Sequence, residues 1–233
     1  RNRSFSEALQ YFSLLDSIEN HKNLPLVHNL ALLNQELGNN EKSVYYYEQL
    51  ISEKPRPEYF LVLSSLYELM GDEAGLLKIL KNGCELYPSN RDLLFKYLNV
   101  LLNHNDYSEI ADIIDKAIKI NENNINLNYL AGFSNEMTGN SSKAEEYYKI
   151  VLNINPNNYD ANYALGLLYL NMYLKDKRQN NLLYMAKYYL SKANEIDPNE
   201  LKALISLSVL YKQTGERNEL QKINNRINQL KLN

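Results

Sequence analysis

Apolar residues recur along this chain at helical spacing. Phe5, Ala8, Phe12 and Leu15 lie three and four residues apart near the start, as do Leu220, Ile223, Ile227 and Leu230 near the end. The same rhythm runs through Leu94, Tyr97 and Leu101, and through Ala186, Leu190 and Ala193. A helix turns once in about 3.6 residues, so each set lines one helical face. Polar side chains take the remaining faces. In the last segment these are Arg217, Lys222, Asn225, Arg226 and Gln229. The pattern predicts a succession of short amphipathic helices.

Helix breakers divide that succession at a fixed interval. Pro55 and Pro88 are 33 residues apart, Pro88 and Pro156 are 68 apart, and Pro156 and Pro198 are 42 apart. Two of these intervals are one and two units of about 34, and the third is one unit plus eight residues. Breakers so spaced imply a repeated pair of short helices. Other residues keep their places relative to the prolines. The segment from Tyr159 has Leu165, Gly166, Tyr169, Ala186, Leu190, Ala193 and Pro198; the one from Ile125 has Ala131, Gly132, Gly139, Ala144, Tyr148 and Pro156. From Pro57 come Leu63, Tyr67, Gly71, Leu80, Gly83 and Pro88; from Leu24, Leu30, Gly38, Tyr47 and Pro55; from Leu201, Leu207, Tyr211 and Gly215. The segment from Arg91 departs most, with Leu98 in the small-residue place, Asn105 at the turn and Glu122 instead of proline.

These marks resemble the tetratricopeptide repeat family over nearly the whole chain. The resemblance implies an all-α fold: a right-handed tetratricopeptide superhelix, or α–α solenoid, of about five helical hairpins plus a leading single helix. It divides a single domain, 1–233, into a partial repeat 1–23, repeats 24–56, 57–90, 91–124, 125–158 and 159–200, and a capping repeat 201–233. Small residues such as Gly132, Gly166, Ala117 and Ala144 are expected where helices cross closely, with Gly71, Gly139 and Gly215 at positive φ in the turns. The eight additional residues, between Tyr169 and Ala186, are expected to lengthen both helices of one hairpin by about a turn, and form either a docking element or a neutral extension. The first segment reads as the second helix of an incomplete repeat. That leaves its outer face uncovered and self-association through it open.

Composition narrows the function. The chain has 233 residues, a formal net charge of -3, 20 Tyr and no Trp, with only 8 Gly and 6 Pro. Acids outnumber bases, which speaks against a nucleic-acid partner. The short basic run Lys175, Lys177 and Arg178 encloses Asp176 and reads as a solvated loop. No stretch approaches the roughly 18 apolar residues of a membrane span. A lengthened penultimate repeat weakly resembles uncharacterised tetratricopeptide proteins of bacterial cell envelopes. That leans the localisation towards the periplasm, with the cytoplasm as the alternative. The first residue is Arg, so a leader or further domain upstream is expected to have been removed.

Catalytic chemistry finds no foothold. His21, His28 and His104 lie in different repeats, without metal-ligand spacing to one another or to the single Cys84. Cys84 occupies an apolar place and reads as a buried, inert thiol. Asp72–Glu73 and Glu145–Glu146 fall near helix starts, where they complement the helix dipole. The expectation is a non-enzyme without cofactor or metal.

The family resemblance places the second, fifth, ninth, twelfth and thirteenth positions of each first helix on a concave groove. This marks Phe95, Asn99, Asn103, Tyr129, Phe133, Tyr163, Leu167 and Asn171 as partner-binding residues. The aromatics and Leu167 would form an apolar trough, and the asparagines would hydrogen-bond a peptide backbone. The other reading of the trough is ordinary core. A carboxylate clamp is not expected, because the corresponding places hold His28 and Leu32, Leu61 and Ser65, and Phe95 and Asn99. The expected function is a scaffold or adaptor binding another protein or peptide. The alternative is a ligand-sensing or regulatory module for a small peptide or glycan.

Overall fold

The computed structural model describes residues 2–19 and 23–231. They form thirteen α-helices. The chain separates into two compact units, Arg1–His104 and Asn105–Asn233. The first holds α1 (Asn2–Glu19), α2 (Leu24–Glu36), α3 (Asn40–Glu53), α4 (Pro57–Met70), α5 (Glu73–Leu86) and α6 (Arg91–Asn103). The second holds α7 (Tyr107–Ile120), α8 (Ile125–Met137), α9 (Ser141–Ile154), α10 (Tyr159–Lys175), α11 (Asn180–Ile196), α12 (Leu201–Thr214) and α13 (Arg217–Lys231). Twelve helices follow the leading one, a pair more than the five hairpins expected. The further pair is α12 and α13, which make up the capping repeat 201–233 with helices of 14 and 15 residues.

Local chemistry fixes where these helices begin and end. Asn23, Asn90, Asn124, Asn140 and Asn158, with Asp72 and Asp106, each accept a backbone N–H of the first helical turn through the side chain. Such caps satisfy donors that the helix itself leaves open. In the turns after α4 and α8, Gly71 and Gly139 stand at φ of 71° and 82°; after α6, Asn105 takes the same left-handed conformation at φ 56°. Asn tolerates it better than other side chains.

In the first unit, Val27, Ala31, Tyr47, Leu50, Tyr59, Leu63 and Leu66 form one buried cluster. In the second, Ala144, Tyr148, Leu165, Leu168, Tyr169, Ala186, Leu190, Leu207 and Tyr211 do so. Close approach depends on small residues. A Cβ on Gly132 would lie 2.6 Å from the Tyr148 ring, and one on Gly166 would lie 2.7 Å from Leu190 Cγ. Tyr148 and Leu190 thus fill equivalent places. Where the second helix supplies tyrosine (Tyr47, Tyr148), the eleventh position of the first helix is Asn34 or Asn135. Where it supplies leucine (Leu80, Leu190), that position is Tyr67 or Tyr169. The large side chain shifts from one helix of the pair to the other, which holds core volume roughly constant.

Tyrosine hydroxyls reach acids or carbonyls beside the core. Tyr67 donates to Glu48 at 2.8 Å, Tyr148 to Glu136 at 2.8 Å, Tyr87 to the Pro55 carbonyl at 2.7 Å, and Tyr147 to Asp115. This is how a chain without Trp uses 20 Tyr at aromatic interfaces that stay partly wet. The lengthening of one hairpin divides between both helices: α10 and α11 each have 17 residues, against 13 in α8 and 14 in α9.

Candidate functional site

Within the second unit α10 packs against both α8 and α12. Their aligned fifth and ninth positions carry Tyr129 and Phe133, Tyr163 and Leu167, and Ile205 and Val209. The first four are half-buried, whereas Ile205 and Val209 are 47% and 39% exposed. Tyr129 and Tyr163 also pack onto the buried cluster, so they belong partly to core and partly to surface. Tyr129 meets the Tyr148 ring at 5.6 Å, and Tyr163 stacks on Tyr159 at 6.1 Å with the planes 7° apart. Phe133 stands edge-on to Tyr107 at 5.2 Å.

The structure therefore groups Tyr129, Phe133, Tyr163 and Leu167 on α8 and α10, with exposed Asn171 near the end of α10. Phe95, Asn99 and Asn103 lie on α6 in the first unit. Asn99 and Asn103 are exposed there, and the Arg91 guanidinium sits 5.4 Å from the Phe95 ring centroid. Lys96, on the same helix, reaches Ser65 Oγ at 2.8 Å and Glu68 at 3.4 Å.

Acids stand close to the aromatic strip, at the second and twelfth positions of the same helices. Burial pushes the Tyr129 hydroxyl up to about 12, and the charges of Asp160 and Glu136 and the Tyr163 ring group add to it. Burial also raises the Glu136 carboxyl, against the opposing hydrogen bond from Tyr148. Glu136 lies two turns from Tyr129 on the same face of α8, and the packing of α10 on α8 adds Asp160.

Other exposed apolar stripes lie elsewhere. On α1, Tyr11, Leu14 and Ile18 are exposed, beside the half-buried stripe of Phe5, Ala8, Phe12 and Leu15. On α11, Tyr184 and Tyr188 border a shallow pocket with Lys187, Ser191, Lys192 and Glu195. The loop of the long hairpin is braced by Arg178 and Gln179 on Asp176, and by Lys177 on Gln213 at 3.0 Å.

The histidines and the cysteine within the described residues have structural surroundings. His28 sits between Tyr47 and Tyr59, at 6.1 and 5.5 Å, and burial followed by the Arg56 charge holds its imidazole below the ordinary range. His104 is near Glu73 at 3.5 Å, Cys84 is buried in α5, and His21 lies outside the described residues. Among the described residues no group of three or more His, Cys, Asp or Glu is placed to hold a metal ion, and no helix is long and apolar enough to cross a membrane.

Comparison with known proteins agrees with the fold. Residues 24–57 match the tetratricopeptide repeat model. Anaphase-promoting complex subunit 3 of Schizosaccharomyces pombe is 25% identical over 128 residues, which is 53% of this chain and 18% of that protein's length. Among solved structures, MamA superposes with a TM-score of 0.63 at 20% identity, covering 75% of this chain and 91% of its own. The C-terminal part of a tetratricopeptide protein from Cytophaga hutchinsonii gives 0.60 at 16% identity, covering 98% and 91%. YrrB, a tetratricopeptide protein described as having an unusual peptide-binding site, gives 0.53 at 18% identity, covering 88% and 98%.

Proposed function

We propose that this chain, which has the fold of the tetratricopeptide-repeat proteins, is an interaction scaffold that holds a peptide segment of another protein on the α8–α10–α12 face. Tetratricopeptide-repeat proteins generally mediate protein–protein interactions. One observation carries the finer reading: the apolar strip of Tyr129, Phe133, Tyr163 and Leu167 continues onto the exposed Ile205 and Val209 instead of closing into core. Rigid aromatics offer large contact area at small entropic cost and dominate binding energy where they are buried by a partner. YrrB is a solved protein of this fold with a peptide-binding site. Asn171 stands beside the strip as a donor and acceptor for a bound backbone. Phe95, Asn99 and Asn103 form the corresponding candidate surface of the first unit.

The test is selection of displayed random peptides on the full chain, followed by affinity measurement for the enriched sequences. Tyr129→Ala with Tyr163→Ala should weaken binding about 30-fold, the effect of losing roughly 2 kcal/mol of aromatic contact. These two rings also support the core. Ile205→Lys with Val209→Lys therefore provides a second disruption at exposed positions and should weaken the same peptides while leaving the melting temperature near that of the native chain. Unchanged affinity in both variants refutes the reading.

A further inference from the structure

We infer that the α8–α10–α12 face binds an extended peptide in one direction, with a basic residue over the α8–α10 side and an acidic residue over the α12 side. The inference rests on the peptide-binding reading above and adds the chemistry and polarity of the occupant.

The shape of the strip selects the conformation. Its two rows are the fifth and ninth positions, one helical turn apart, which is about 6 Å. That is narrower than the 10–12 Å diameter of a helix with its side chains, and it suits an extended chain. Across the strip, two interaxial spacings of about 8–10 Å give roughly 16–20 Å. At about 3.3 Å per residue, five or six extended residues cover that distance.

The charges select the direction. At the second position of the first helix, α10 carries Asp160 and α12 carries Lys202; at the twelfth, α8 carries Glu136 and α12 carries Lys212. At both levels the sign reverses from the α8–α10 side to the α12 side. None of the four forms a salt bridge with a described residue. Asp160, Lys202 and Lys212 are exposed, and Glu136 is half-buried.

Helix electrostatics do not account for the arrangement. Asp160 in a first turn and Lys212 in a last turn suit the helix dipole. Glu136 in the last turn of α8 and Lys202 in the first turn of α12 oppose it. Glu136 does accept the Tyr148 hydroxyl. Two other acids precede Lys202: Glu200 turns its carboxylate to the Lys202 amide at 3.4 Å, and Asp197 to the Asn199 amide at 3.0 Å. A partner's Lys or Arg placed by Tyr129 and Tyr163 would meet the Asp160 carboxylate at one level or that of Glu136 at the other, beside a ring face, and a guanidinium or ammonium gains from both. A partner's Asp or Glu would meet Lys202 or Lys212 at the matching level.

The test exchanges the charges without altering their sum. Twelve-residue random peptides are selected on the immobilised full chain and, in parallel, on Asp160→Lys with Lys202→Glu. The native chain should enrich sequences with Lys or Arg and Asp or Glu about five or six residues apart, flanking apolar residues, in one order. The exchanged chain, with Glu136 and Lys212 still in place, should lose that order, and native-selected peptides should bind it about tenfold more weakly. Circular dichroism checks that both chains fold. Peptides without charge order on the native chain, or the same order at undiminished affinity on both chains, overturn the direction but leave peptide binding standing. No enrichment, or peptides that ignore both the Tyr129/Tyr163 and the Ile205/Val209 substitutions, overturns the binding reading and the direction with it.

Discussion

Replacing Gly166 by alanine tests whether close backbone approach holds the α10–α11 hairpin together. A Cβ at this position would lie 2.7 Å from Leu190 Cγ and 2.9 Å from both Leu190 Cδ2 and the Leu190 backbone nitrogen. Turning the Leu190 side chain relieves the first two contacts. The nitrogen belongs to the α11 backbone and moves only with the helix. Ordinary contact begins at about 3.5 Å, so the helices must part by roughly half an ångström. A gap of that size already forfeits about a quarter of the dispersion well at each contact along the seam, and overpacked cores lose about 1–3 kcal/mol. Against this, alanine favours a helix over glycine by about 1 kcal/mol. From the middle of that range the balance is a net loss of about 1 kcal/mol. For a chain of this size that lowers Tm by about 2–4 °C. Repeat arrays unfold in part by nearest neighbours, so the melt should be followed by circular dichroism alongside hydrogen exchange at the amides of α10 and α11. Faster exchange there with a lower Tm is the expected result. An unchanged or higher Tm would mean that helix propensity outweighs the contact, and that the small residue is not what permits the approach.

Three further outcomes follow from particular contacts. Because burial holds the folded Glu136 carboxyl above its ordinary value of 4.5, the folded state is relatively favoured below pH 4.5 and loses that advantage as pH rises through the raised value. Glu136→Gln retains an acceptor for Tyr148 and should melt above the native chain at neutral pH, the gap closing below pH 4.5; a gap independent of pH contradicts this. Asn158→Ala removes the side-chain oxygen that accepts the Ala161 amide at 2.8 Å; it should cost about 1 kcal/mol in denaturant titrations, with Asn158→Asp close to native. Asn135→Tyr combined with Tyr148→Leu copies the Tyr169–Leu190 arrangement, and should lose at least about 0.5 kcal/mol less than the two single changes summed; strict additivity would show that the two positions do not share volume.

The architecture was legible because helical period and breaker interval are properties of the chain itself. Asn105 could be assigned to a turn although it is not glycine, since it occupies the place that Gly71 and Gly139 take elsewhere, and its φ is 56°. Asn128 and Asn162 were not legible. A polar residue amid an apolar period reads as exposed, yet both are buried, in the place where other repeats carry Val27, Phe60, Leu94 and Leu204. Each amide nitrogen donates to two carbonyls of the preceding turn: those of Glu122 and Asn124 for Asn128, and those of Pro156 and Asn158 for Asn162. A buried polar group is tolerated when it is bonded in this way. That bonding partner lies in the fold of the turn and not in the hydropathy of the helix.

The candidate site shows the same division between what one helix determines and what its neighbours determine. Position within a repeat decides which face a side chain joins, so Tyr129, Phe133, Tyr163 and Leu167 could be assigned to one strip. It does not decide how far that face is already occupied. Phe133 is engaged by Tyr107 and Tyr163 by Tyr159, while Ile205 and Val209 at equivalent positions remain open. The difference is set by side chains arriving from other segments. Charge follows the same logic. Glu136 shares a helix with Tyr129, Asp160 arrives from the next one, and neither acid forms a salt bridge with a described residue. A binding surface in stacked hairpins is therefore defined by what the neighbours leave unpaired, and the unpaired charges on this face define the occupant more narrowly than its apolar strip does.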